Sequence, residues 1–279
     1  MCGLYGFTSK YPNKKSIDVM SGLGVCMSAR GTDSTGVALI DKKIEIVKDT
    51  IPSYDFFDLY DFKPVKSVLG HTRFATHGIV SVDNAHPFKF GDVVGCHNGI
   101  INNHIMYGNY QVDSQVIFDL LNKHDNDFIK VLPKIEGSAS ITWHYKGNIY
   151  LVRHDNPLAI AITNNSIYWC SELYILKAII KSSGLKATYC EIPEDTVFEI
   201  DKNLNIKKYK VFFDSYYDDY YDDDLNEIEA KYMAETNGCE ICNRTIDIEN
   251  DTFYFNENEY VCYHLHCKPR YIKNFTRIN

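Results

Sequence analysis

Short apolar runs bounded by Gly, Pro, Asn or Asp predict strands over residues 2–8, 36–41, 44–48, 67–73, 92–97, 138–144, 148–153, 158–163, 166–170 and 196–200. Helical periodicity is rarer and marks 14–28, 114–124, 126–134 and 172–182. In the second of these helices Val116, Ile117, Leu120 and Leu121 fall on one face, with Asp113 or Ser114 placed to cap it. Lys146-Gly147 and Asn164-Asn165 read as hairpin turns, so neighbouring strands run antiparallel and the pattern predicts α+β layers rather than a doubly wound parallel sheet. There is no internal repeat. Neither a GxGxxG behind a strand nor a GxxxxGK[ST] occurs, which leaves a dinucleotide or P-loop site unsupported.

With 279 residues, 45% apolar and 24% charged, the chain is globular and long enough for one large domain, or for a domain of roughly 200 residues plus a small module. No apolar run is long enough to span a bilayer, and the start carries no basic flank and apolar stretch of a signal peptide, so a cytoplasmic protein without membrane contact is expected. A net charge of −8 argues against a broad grip on nucleic acid or anionic lipid. The acid is concentrated between Asp214 and Asp224, where six Asp and four Tyr occupy eleven positions without helix or strand periodicity. This divides the chain into a domain over 2–205, an acidic linker over 206–235 and a module over 236–279. Nine cysteines without a secretory signal do not form a disulfide framework. Cys26, Cys96, Cys170 and Cys190 sit among apolar residues as small core side chains, Cys2 stands apart, and four crowd into the last module.

Removal of Met1 would make Cys2 the first residue. Its α-amine, with an ordinary pKa of about 8, could then take a proton from the adjacent thiol directly or through water, placing nucleophile and base on one residue. Four further segments bear on this: Cys2-Gly3-Leu4-Tyr5-Gly6-Phe7; Arg30-Gly31-Thr32-Asp33-Ser34-Thr35-Gly36; Gly70-His71-Thr72-Arg73-Phe74-Ala75-Thr76-His77-Gly78 with Asn84-Ala85-His86-Pro87-Phe88; and His97-Asn98-Gly99-Ile100-Ile101. Together with Val112-Asp113-Ser114-Gln115 and Ser171-Glu172 they resemble the class II glutamine amidotransferase domain, an N-terminal nucleophile hydrolase, over roughly residues 2–205.

The resemblance implies a four-layer αββα sandwich that hydrolyses L-glutamine to glutamate and ammonia through a Cys2 thioester, with no cofactor for catalysis. It implies Asn98 and Gly99 as oxyanion donors, Arg73 as the grip on the α-carboxylate and Asp113 as the receiver of the α-ammonium. Thr76 and His77 would form the pocket wall and Arg30 would shape the substrate site, while His71, His86 and His97 are read as packing or hydrogen-bonding residues. Phe74 stands where the sugar synthases of this family commonly have tryptophan. No synthase domain that would consume the ammonia is recognisable in the chain, so a separate ammonia-accepting synthase partner is expected. A glutaminase fold retired to a binding scaffold, and a hydrolase of other γ-glutamyl amides, are the competing readings; the joint presence of Cys2, Arg73, Asn98, Gly99 and Asp113 speaks against the first, and Arg73 with Asp113, which would recognise glutamine's free α-groups, against the second.

In the last module Cys239-x-x-Cys242 and His264-x-x-Cys267 are separated by 21 residues, the spacing of a treble-clef or LIM-like zinc knuckle, with Cys262 and His266 as spare ligands. A structural zinc bound by Cys239, Cys242, His264 and Cys267 is expected. Lys268, Arg270, Lys273 and Arg277 interleave with Tyr263, Tyr271 and Phe275, a pattern that suits nucleic acid or an acidic protein surface. The acidic tract opposes such contact, and a structural or partner-docking role is favoured.

Overall fold

The computed structural model describes residues 2–75 and 79–213, and from the remainder residues 231, 234, 239, 242, 244–247, 253–256, 261–264, 267 and 276–278. Two compact units are separated at Asp214/Ser215. In chain order the first contains β1 (Gly3–Ser9), α1 (Lys14–Met27), β2 (Ser34–Ile40), β3 (Ile44–Asp49), α2 (Ser53–Leu59), β4 (Ser67–Arg73), β5 (Phe88–Phe90), β6 (Val93–Ile101), α3 (Gln115–Lys123), α4 (Phe128–Val131), β7 (Gly137–Tyr145), β8 (Asn148–His154), β9 (Ala159–Ile162), β10 (Ser166–Cys170), α5 (Leu173–Ser182), β11 (Thr188–Glu191), β12 (Thr196–Ile200) and β13 (Ile206–Lys210).

These strands form two wholly antiparallel sheets, a seven-stranded one in the order β11-β9-β10-β1-β4-β2-β3 and a six-stranded one in the order β13-β12-β8-β7-β6-β5. Period-2 alternation divides each strand between two faces. Leu4, Leu69, Ile167 and Trp169 of the first sheet meet Val94, Cys96, Leu151 and Phe198 of the second in a dry layer between them. The opposite face of the first sheet presents Tyr5, Phe7, Val68 and Tyr168 to Met20 and Leu23 of α1, Phe56 of α2 and Leu176 and Ile180 of α5. On the outer face of the second, Val93, Trp143, Tyr150 and Val152 pack on Val116, Ile117 and Leu121 of α3 and Phe128 of α4. The result is helix, sheet, sheet, helix: the four layers expected.

Local chemistry explains most of the differences from the sequence expectation. The hairpin at Lys146-Gly147 is present with both residues at positive φ, 45° and 92°. The helix expected over 126–134 is only one turn plus a 3-10 turn over Leu132–Lys134, because Pro133 lacks the N–H that would continue it. Cys96 and Cys170 are buried as expected, whereas Cys26 and Cys190 are partly exposed. Ile206–Lys210 is an edge strand on β12, and Val211 and Phe213 complete the outer core, so the first five residues assigned to the linker belong to the sheet. The acidic tract itself lies outside the described residues.

The second unit contains β14 (Phe253–Asn256), β15 (Val261–His264) and β16 (Thr276–Ile278) in the order β15-β14-β16. Its described core is small: Ala234, Cys239, Ile246, Phe253 and Cys262. Lys268, Arg270 and Lys273 lie outside the described residues. No helix among the described residues is long and apolar enough to cross a membrane.

Gly6 marks the closest packing in the central strand. A Cβ there would lie 2.2 Å from the Val68 carbonyl oxygen and 2.5 Å from the Trp169 ring, and a ladder carbonyl cannot retreat. Gly6→Ala is therefore expected to cost about 3 kcal/mol or more, measured by urea unfolding of the full chain.

Candidate active site

The antiparallel register sets Gly3 of β1 opposite Thr72 of β4, so the residue before β1 and the residue ending β4 emerge side by side. Cys2, Arg73, Phe74, His86, His97, Gly99 and Asp113 line one cleft there. The Cys2 Sγ accepts a hydrogen bond from the Phe74 N–H at 3.3 Å and lies 3.4 Å from the Phe74 carbonyl oxygen. Burial pushes the Cys2 thiol up from its ordinary value, against the opposing pull of the Phe74 backbone, the amino terminus and Arg73.

Arg73, buried at the end of β4, donates to the Ile79 carbonyl at 3.2 Å, and that carbonyl also accepts from Asn84 Nδ2 at 3.1 Å. Asp113 reads in sequence as a helix cap, but α3 has no side-chain cap bond. Its buried carboxylate instead accepts from the Ile101 N–H at 2.8 Å and from Ser114 Oγ at 3.3 Å, which fixes it beside the cleft.

Alternation along β6 places Asn98 on the face of Val94 and Cys96, toward the inter-sheet space where β1 begins. Asn98 is buried, and its Nδ2 has no hydrogen-bond partner among the described residues. An unmet buried donor costs about 1–3 kcal/mol. The next residue, Gly99, has φ +150°, and a Cβ would lie 1.9 Å from the Ser138 carbonyl oxygen, so only glycine fits where β6 turns its backbone.

Three buried histidines underlie the cleft. His71 Nε2–H donates to the His97 carbonyl at 3.1 Å, the His71 and His86 rings lie 4.1 Å apart at a tilt of 39°, and His97 Nδ1 lies 2.8 Å from Ser114 Oγ. Both ring nitrogens of His86 lack a partner among the described residues. Burial holds His71 down to about 3 and also lowers His86 and His97, the last against the raising effect of Asp113. Sequence reasoning places these residues in packing roles and misses that they form one cluster. No local pattern signals it, because the three stand on β4, on the segment before β5 and on β6.

Arg30, expected to shape the substrate site, donates through Nε to the Cys2 carbonyl at 2.7 Å and pairs with Glu172. Thr76 and His77 lie outside the described residues.

In the second unit, ligand atoms of Cys239, Cys242, His264 and Cys267 lie within 4.8 Å of one another. Cys242 Sγ is 3.4 Å from His264 Nδ1, and the His264 N–H donates to Cys239 Sγ at 3.5 Å. Edges of a tetrahedron of thiolates around zinc are about 3.8 Å, so the donor set fits a metal of that kind with modest contraction. Cys262 is outside this set: its backbone bridges to Cys239 instead.

Over 220 residues the chain is 28% identical to the glutamine–fructose-6-phosphate aminotransferase (isomerizing) of Pyrococcus horikoshii, covering 66% of this chain and 35% of that enzyme. It is 30% identical over 187 residues to the enzyme of the same name from Idiomarina loihiensis, covering 58% and 30%. The chain thus spans about a third of the length of the curated relatives it matches. The solved glutamine phosphoribosylpyrophosphate amidotransferase of B. subtilis is similar in fold, with a TM-score of 0.63 and 16% identity over 86% of this chain and 59% of that one. A structure described as the allosteric regulatory enzyme of purine biosynthesis has a TM-score of 0.63 and 17% identity over 75% and 49%. No family model matches the chain. Its relatives in sequence and fold are glutamine amidotransferases.

The histidine cluster predicts an acid limb in stability. Unfolded histidine titrates near 6.5, while in the fold His71 is held to about 3 and its neighbours are lowered, so below pH 6.5 the unfolded chain binds more protons. Stability falls as pH drops from 6.5 toward 3. Urea midpoints at pH 7.5 and 5 are expected to show the loss, and His86→Leu to reduce it.

Proposed function

We propose that the chain is the glutamine-hydrolysing subunit of an amidotransferase, converting L-glutamine to L-glutamate and ammonia and delivering the ammonia to a synthase on a separate chain. The observation that carries this reading is the cleft lined by Cys2, Arg73, Gly99 and Asp113, with Asn98, whose Nδ2 has no partner among the described residues, on the inter-sheet face of the adjoining strand.

Arg73 takes the α-carboxylate of glutamine in a bidentate grip, and Asp113 takes the α-ammonium, so a free amino acid is recognised at both of its charges. With Met1 removed, the α-amine of Cys2 accepts the thiol proton as sulfur attacks the side-chain amide carbon. The carbonyl oxygen becomes an oxyanion held by Asn98 Nδ2 and the Gly99 N–H. The protonated amine then gives its proton to the leaving nitrogen, the C–N bond breaks, and ammonia departs from a γ-glutamyl thioester. Water, deprotonated by the same amine, attacks the thioester and releases glutamate and the thiol.

A structural zinc held by Cys239, Cys242, His264 and Cys267 completes the second unit. Those residues would hold the ion as a cross-link beside the described core of Ala234, Cys239, Ile246, Phe253 and Cys262, and it would take no part in glutamine hydrolysis. This unit serves as a structural or partner-docking module.

Mass spectrometry of the purified chain is expected to show Met1 absent, and a glutamine-mimicking electrophile to label Cys2 and leave Cys26 and Cys96 unmodified. Active protein with Met1 retained contradicts the amine's role. Asn98→Ala should lower kcat for glutamine hydrolysis by ~10²–10³ with KM little changed. Metal analysis should find about one zinc per chain, lost in the Cys239→Ser/Cys242→Ser double variant; zinc content unaffected by that change would refute the ligand set.

A further inference from the structure

We infer that Glu172 is a positioning residue for the nucleophile, acting through Arg30 on the backbone of Cys2; the inference rests on the glutaminase reading above. A residue at a chain terminus is joined on one side only and frays unless other groups hold it. Cys2 precedes the first residue of β1, and the ladder between β1 and β10 has its last paired residues at Tyr5 and Cys170. Three contacts continue the hold beyond that point. The Ser171 N–H donates to the Leu4 carbonyl at 2.9 Å, and the Ser171 hydroxyl accepts from the Leu4 N–H at 2.9 Å, so one side chain replaces the missing ladder partner. Arg30 Nε then donates to the Cys2 carbonyl at 2.7 Å, and the same guanidinium is paired with Glu172.

Glu172 sits at the N-cap position of α5 and makes no cap bond to its own helix. Its carboxylate is directed across to Arg30, and the two side chains are only 22% and 8% exposed, so solvent screens the pair weakly. An Arg side chain has several rotatable bonds. A charged partner on a second element selects one rotamer, and with it the direction from which Nε meets the Cys2 carbonyl.

The loop carrying Arg30 also fixes the other half of the site. The Asp33 N–H donates to the Arg73 carbonyl at 3.0 Å, and Asp33 Oδ2 accepts from the Ala75 N–H at 2.7 Å. Gly31 lies against this backbone, where a Cβ would be 2.4 Å from the Arg73 carbonyl carbon. One short loop therefore sets the nucleophile, through Arg30, and the proposed carboxylate grip, through Asp33, in a common frame. Glu172 locks only the first of these.

The two roles separate in kinetics. A misplacement of about 1 Å between reacting groups costs up to ~10²-fold in rate, whereas recognition of the α-carboxylate and α-ammonium stays with Arg73 and Asp113. Glu172→Ala and the milder Glu172→Gln are to be compared with the wild-type full chain in glutamine hydrolysis, in labelling by a glutamine-mimicking electrophile, and in thermal unfolding. For Glu172→Ala, kcat and the limiting labelling rate should both fall ~10–100-fold, with KM for glutamine and the electrophile's half-saturation within about twofold. Glu172→Gln, which keeps a neutral acceptor, should lie between Glu172→Ala and wild type. A raised KM with kcat intact would overturn the inference by showing that the Arg30–Glu172 pair serves substrate binding, and unchanged kinetics in both variants would overturn it outright. A fall in labelling rate that tracks loss of folded protein would assign Glu172 a merely structural role. Wild-type chain lacking Met1 that neither hydrolyses glutamine nor is labelled at Cys2 would instead remove the glutaminase reading, and this inference with it.

Discussion

A strand end has fewer partners than a strand middle, and the thiol of this protein stands at the end of the most surrounded strand it has. β1 is central in its seven-stranded sheet, with β10 on one side and β4 on the other. Leu4, Tyr5 and Phe7 are fully buried, the first against the second sheet and the others against α1 and its neighbours. The chain cannot shift along its axis without moving Tyr5 and Leu4 out of two different cores, which is what register means in a sheet buried on both faces. That constraint fixes Gly3 opposite Thr72, and hence Cys2 beside Arg73 and Phe74. The inter-sheet layer then brings β6 close to β1, with Gly99 lining the same cleft as Cys2 and Asn98 on the inter-sheet face.

Packing that fixes a site this firmly also desolvates it, and the unmet polar atoms record the cost. Asn98 Nδ2, both nitrogens of His86 and Asn84 Oδ1 are all buried without partners among the described residues. Unpaired atoms occur elsewhere in the core too, Tyr5 Oη and Trp169 Nε1 among them, so lack of a partner alone does not mark a site. What separates Asn98 is its direction. It occupies an inward position on a strand that also supplies Gly99 to the cleft, and a donor already engaged by the protein would have nothing to offer a developing charge.

The strands that carry the site were legible because they are apolar and bounded by turn residues; β1, β2, β4 and β7 are close to where the pattern puts them, while β6 runs four residues past the expected end at 97 and carries Asn98 and Gly99 on that extension. The elements that escaped lie at edges or are very short. β13 reads Ile-Lys-Lys-Tyr-Lys, a lysine-rich edge strand whose composition resembles the linker it leads into. β5 has three residues, β11 is largely exposed, and α2 has seven residues and no side-chain cap bond, held by the rings of Phe56, Phe57, Tyr60 and Phe62 rather than by helical signals. At the site, Cys2, Arg73, Asn98, Gly99 and Asp113 follow from motif resemblance; four of them line one cleft, and Asn98 stands on the inter-sheet face of the strand that carries Gly99. The contacts of Arg30 were not legible, because Glu172 is 142 positions away in sequence and reads locally only as the first residue of the helix expected over 172–182. Asp113 misleads locally: a carboxylate before a helix is usually a cap, and only the Ile101 N–H, 12 positions back, shows where this one is used.

The protonation of the thiol bears on how the proposed chemistry must be driven. A cysteine activated by its surroundings has its pKa lowered, so that thiolate waits for substrate. Here, with Met1 in place, burial outweighs the Phe74 backbone, the amino terminus and the Arg73 charge, and the thiol of Cys2 is held above its ordinary value. A resting thiol needs a base that acts as the bond forms. The three histidines nearby are poor candidates: His71 is held down to about 3, and burial lowers His86 and His97 too. The deeply buried rings of His71 and His86 lie in tilted contact, with a carbonyl rather than the sulfur as the partner of His71. With Met1 removed, as proposed, the α-amine of Cys2 would be tethered to the sulfur within the same residue, whatever the side chains around it do. In the proposed mechanism the base is therefore supplied by the terminus, and the frame of Arg30, Ser171 and the β1 ladder that holds the terminus still also holds the base in place.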